Sequence, residues 1–205
     1  MILFCFLWIP VFYLFWRHIT GGNTFGWALA LIAGSIVAFV QFLNGPLVDP
    51  GAFGLARWFS GFVDIVALPV LAPLLVYSLL FCLRLIPAAA DFTGFALLWL
   101  LPVAATRTFN LSWNLSRDPI LLVLVPVLWT TIAVGIPFFI TIILNSRPAL
   151  ATLSCLAALF VPFAAATSYW AFFSQRTFLG VLFLLAAAAP MLVSVTMSFA
   201  RAGGD

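Results

Sequence analysis

The chain has 205 residues, 66% of them hydrophobic and only 6% charged, with a formal net charge of +3. Soluble domains carry about 25% charged residues, so a water-soluble fold is excluded and an all-α polytopic membrane protein is expected. There is no Lys and no Glu, only Arg, Asp and one His, which removes Schiff-base and phosphate-loop lysines, glutamate bases and bis-histidine haem ligation.

Small, scattered charge offers no basic stripe for nucleic acid. Cys5, Cys82 and Cys155 lie far apart in apolar runs and read as small core residues. No cofactor is expected. The first residues lack a basic n-region and a small-residue cleavage site, so they read as a retained first span rather than a cleaved signal.

A bilayer core needs about 20 apolar residues in a helix. Seven runs approach this length in chain order: 1–16, 27–43, 64–83, 91–106, 119–144, 148–173 and 178–199. The predicted fold is a single domain, 1–205, built as a bundle of about seven (six to seven) transmembrane helices with one or two short interfacial amphipathic helices. The first and fourth runs are short. The fifth, at about 1.5 Å per residue, is long enough to require tilt or a bend, and Gly135-Ile136-Pro137 marks the place.

Proline punctuates every run but the second: Pro10, Pro69, Pro73, Pro102, Pro126, Pro137, Pro162 and Pro190. Each removes a backbone N–H and frees the carbonyl four residues earlier. In lipid that carbonyl must find another donor.

Asp64, Asp91 and Asp118 recur every 27 residues, each at or just before a run. They read as helix N-caps that complement the helix dipole. Arg17, Arg84, Arg107 and Arg201 follow the last apolar residues of their runs, the favourable place for a cation. Four arginines fall on each side of the membrane, so orientation cannot be read from them. DIVALPVLAPLLVYS from Asp64 resembles DPILLVLVPVLWTT from Asp118, which suggests that the third and fourth runs are duplicated as the fifth and sixth.

Three places could carry function. The first is NGPLVDPGAFGLARWFSGFVD, from Asn44 to Asp64. Turn signals lead into 52–63, where Arg57, Ser60, Gly61 and Asp64 share one helical face and Leu55 and Phe59 the other. The expectation is an amphipathic helix lying in the interface plane. The order of Asp, Ala-Arg, Gly and Asp resembles the motif of the CDP-alcohol phosphotransferases. The match fails on two counts: Asp49 is too far from Ala56-Arg57, and Leu68 stands where a last acid is needed. A two-metal site requires clustered carboxylates.

The second is the segment 107–117 after the fourth run, where Arg107, Asn110, Asn114 and Arg117 recur at helical spacing. Two runs separate it from the first segment, so both belong to one membrane side. With Arg57 they could hold a lipid phosphate or an anionic solute. The third is a hydroxyl-lined interior around the bent fifth run: Thr130, Thr131 and Thr141, with Tyr77, Ser78, Thr167, Ser168, Ser194, Thr196 and Ser198. No charge is expected deep in the bilayer.

The leading expectation is a transport protein of a bacterial cytoplasmic membrane: a small permease, or the membrane subunit of a transporter for a small or amphipathic solute. Its substrate-binding candidates are Arg57, Asp49, Arg107, Asn110, Asn114, Arg117, Thr130, Thr131 and Tyr77. Its partners would be membrane lipids and other membrane subunits. The alternatives are an accessory subunit of a membrane complex and a lipid-modifying enzyme using the Arg57 face.

Overall fold

The computed structural model describes residues 2–20, 26–44, 54–85, 91–113, 119–145 and 147–202. All secondary structure among them is helical: α1 (Ile2–Thr20), α2 (Trp27–Asn44), α3 (Leu55–Cys82), α4 (Phe92–Trp113), α5 (Pro119–Asn145), α6 (Pro148–Phe173) and α7 (Thr177–Ala202). Four stretches are long and apolar enough to cross a membrane: Leu55–Cys82, Val123–Leu144, Pro148–Phe173 and Thr177–Ala200. Trp27–Leu43 and Phe92–Thr106 are shorter apolar helices. Their length and composition make the chain compatible with an integral membrane protein.

The ends of the helices alternate. Trp16, late in α1, meets Asp91 at the start of α4. Phe15 packs edge-on against Phe199, late in α7. Arg57, early in α3, lies over the ring of Phe173 at the end of α6. One end of the bundle therefore gathers the C-terminal ends of α1 and α7 with the N-terminus of α4. The opposite end gathers the start of α3 with the end of α6.

The core sits on α4 and α5. Phe95, Leu97, Leu100, Val103, Leu128, Trp129 and Ile132 are all fully buried, with Ile9 from α1 and Ile65 and Val66 from α3. Where lipid replaces water outside, apolar burial supplies little driving force and close packing must do the work. α2 illustrates this. Its Ala30, Gly34 and Ala38 form a small-residue stripe buried against α4. A Cβ at Gly34 would collide with the carbonyl oxygen of Trp99 and stand 3.1 Å from Pro102 Cγ. Gly26 lies beside the Phe95 ring, 3.6 Å from where its Cβ would stand, at the N-terminal end of both helices. So α2 and α4 run parallel.

α3 departs from expectation. An interfacial helix at 52–63 followed by a separate span from Asp64 is not what forms. Leu55–Phe62 is α-helical, Val63–Leu71 is a π-helix and Ala72–Cys82 is α-helical again, in one unbroken rod. Asp64 consequently stands inside a helix and not at its cap, because the chain before it is already helical. The wider π turns lie around Pro69, where the missing N–H breaks the α-helical ladder. The resemblance to the Asp118 stretch does not extend to local structure either, since α5 starts immediately at Pro119.

The faces of this first part of α3 also lie otherwise than expected. Gly61 is buried against Tyr169, where a Cβ would come within 3.2 Å of the ring. Trp58 donates its indole N–H to Thr167 Oγ1 at 3.1 Å and packs on Phe163. Leu55 and Phe59 are the exposed residues. The polar side faces α6 and the apolar side faces outward, the arrangement suited to a lipid surround. Cys82 and Cys155 are exposed and not in the core.

Two C-termini close the same way. Arg84 and Gln175 take left-handed backbone conformations with φ of 58° and 59°. Leu85 N–H then reaches Leu80 O, and Arg176 N–H reaches Ala171 O, satisfying carbonyls that the helix leaves open.

Candidate functional site

Two interhelical hydrogen bonds to backbone carbonyls locate the interior. Trp129 Nε1 donates to the carbonyl oxygen of Ile65 at 2.9 Å, within the π-helical turns around Pro69. Pro137 frees the carbonyl of Ala133 four residues earlier, and Thr93 Oγ1 donates to it at 3.1 Å. Both donors come from neighbouring helices, as lipid requires. The second bond ties α4 to α5 at Pro137.

Beyond Pro137 lies a cavity of about 670 Å³, at the end of the bundle where α4 begins. α3 contributes Leu74, Tyr77, Ser78, Phe81 and Cys82. α5 contributes residues from Val134 to Leu144, including Pro137, Phe138 and Thr141. α7 contributes Ser194, Met197 and Ser198, and α1 contributes Trp16. Asp91, Phe92 and Thr93 line it from the start of α4. The volume falls within the roughly 300–1,000 Å³ of small-molecule sites.

Asp91 is the acid at this cavity. Its backbone carbonyl accepts the first bond of α4, from Phe95 N–H at 3.0 Å. Its carboxylate takes the N–H groups of Thr93 and Gly94 and the indole N–H of Trp16, the last at 3.3 Å. It caps α4, as its place in the sequence indicates. Burial is the larger influence and raises its pKa above the ordinary carboxylate range, against the lowering effect of those three donors. No basic side chain lines the cavity among the described residues.

The aromatic wall is ordered by its own contacts. Tyr77 meets Phe92 and Phe95 edge-on, with ring centroids 5.2 and 5.4 Å apart. Ser198 Oγ is turned onto its own helix, donating to Ser194 O at 2.9 Å, and Thr141 Oγ1 does the same to Pro137 O.

The structure sorts the expected site residues as follows. Tyr77, Ser78, Thr141, Ser194 and Ser198 come together in the cavity. Thr130 and Thr131 are fully buried and donate to Val127 O and Leu128 O of their own helix, and Thr130 also accepts from Trp8 Nε1. Thr167 and Ser168 pack between α6 and its neighbours, Ser168 donating to Gly180 O. Arg57 stands at the opposite end of the bundle, 4.7 Å above the Phe173 ring. Arg107 and Asn110 fall on α4, which continues past Thr106 to Trp113, but their side chains lie outside the described residues. Asp49, Asn114, Arg117 and Asp118 lie outside them altogether.

Asp91, Trp16 and Thr93 are the cavity residues that sequence reasoning missed. Asp91 was visible only as a cap. The available signal was a cap residue whose helix starts beside a proline-bent neighbour. No protein-family model, curated protein or solved structure matches the chain.

Proposed function

We propose that the protein is an integral membrane transport protein, a small permease or the membrane subunit of a transporter, residing in a bacterial cytoplasmic membrane with α1 to α7 as seven spans. The observation that carries this reading is the cavity between α1, α3, α4, α5 and α7, with hydroxyls, aromatic rings and one carboxylate on its walls. Its position supports the reading further: it is lined by Pro137 of α5, and helices interrupted around a solute site are how many transporters are built.

The test is uptake of a small-solute panel into proteoliposomes containing the purified chain. Uptake above empty vesicles, abolished by filling the cavity with Ser194→Trp, supports the proposal. A purified, monodisperse chain that moves and binds nothing in the panel removes it.

A further inference from the structure

We propose that the cavity recognises an organic cation, an amine or quaternary ammonium group on an apolar body, with Asp91 as its counter-charge. This rests on the solute-site reading above and names its substrate class.

Three observations converge. Asp91 is an acid on the cavity wall, and no basic side chain lines that wall among the described residues. Its existing partners are N–H donors from Trp16 and the first turn of α4, which hold the carboxylate in position without neutralising it. Around it stand Trp16, Tyr77, Phe81 and Phe92, and aromatic faces attract ammonium groups within about 6 Å. An anionic solute would be repelled by the carboxylate, and a neutral one would draw on it only through a hydrogen bond. An organic cation matches both the charge and the apolar walls. Arg17, His18, Arg84 and Arg147 are exposed near the same end, where solvent screens them more than it screens a partly enclosed carboxylate.

The test is equilibrium binding of radiolabelled tetraphenylphosphonium to the purified full chain in detergent, with two competitors of similar size. Saturable binding that benzyltrimethylammonium displaces and phenylacetate does not is the expected result. Asp91→Asn retains capping ability and should weaken binding at least about tenfold, the scale of one charge–charge contact in a partly buried site. Asp91→Glu should keep most of it. Ser194→Trp, on a different helix, should abolish binding by filling the space. Wild-type protein that is folded yet binds no cation overturns the inference, as does an Asp91→Asn affinity within twofold of wild type, or equal displacement by phenylacetate. Cation binding without transport would sink only the permease reading. Transport of neutral solutes that survives Asp91→Asn, with no cation binding by wild type, would sink only this one.

Discussion

The indole N–H of Trp129 in α5 donates to the carbonyl oxygen of Ile65 in α3 at 2.9 Å, within the π-helical turns around Pro69. A second buried indole, Trp99, has no hydrogen-bond partner for its Nε1 among the described residues. The two tryptophans share a chemistry and differ in what depends on it. Trp129→Phe breaks a buried interhelical hydrogen bond, at a cost of about 1 kcal/mol beyond the lost ring area. Trp99→Phe removes a donor that satisfies nothing and should cost only the area. Thermal unfolding of both variants in one detergent checks the order; equal losses would refute it.

Thr93 and Pro137 form the matching pair. Thr93→Val keeps the shape and strips the donor from Ala133 O, so it should destabilise by about 1 kcal/mol or more. Pro137→Ala restores a backbone N–H four residues beyond Ala133. In that background Thr93→Val should be nearly harmless. A double-mutant cycle in detergent measures the coupling, and additive effects would show that the proline does not govern this hydrogen bond.

Gly34 holds α2 against α4. Gly34→Val places a branched side chain where even one Cβ meets the Trp99 backbone, and backbone cannot step aside as a flexible side chain can. The expected outcome is a loss of several °C in midpoint, with α2 becoming more accessible to proteolysis. Gly54→Ala is the comparison: its Cβ meets nothing within 4 Å, and only its φ of +62° is unfavourable. That variant should lose about 1 kcal/mol.

Asp91 makes stability depend on pH in a stated direction. Burial raises its folded pKa, so the fold favours the neutral carboxyl. That contribution is fully present below the ordinary carboxylate range and is lost as pH rises through the raised value. Asp91→Asn carries a permanent neutral cap. The wild type should match it in acid and fall behind it as pH approaches neutrality. A difference in midpoint that stays constant across this range would contradict the assignment.

Much of the architecture was legible in the residues themselves. Apolar run length places the helices, since the same apolar periodicity and the same scarcity of charge hold for most of their length. Asp91 before Phe92 marks the start of α4, and Pro119 and Pro148 open their helices at the first position, where a missing N–H costs nothing. The prolines announce that particular carbonyls will need outside donors.

Which donors answer them was decided only by tertiary structure. Nothing in the local sequence links Trp129 to Ile65 or Thr93 to Ala133, because both bonds join helices far apart in the chain. The same holds for α3: local turn signals and an amphipathic pattern point to a surface helix, but Trp58, Gly61 and Tyr169 pack its polar side against α6 and carry the rod straight through Asp64. The sequence determined that this chain is a bundle of apolar helices interrupted by proline, since composition and periodicity act within each segment. Which hydroxyls share a cavity with Asp91, and which spend themselves on their own helix, depends on how separate helices are rotated against one another, and that is settled only when they pack.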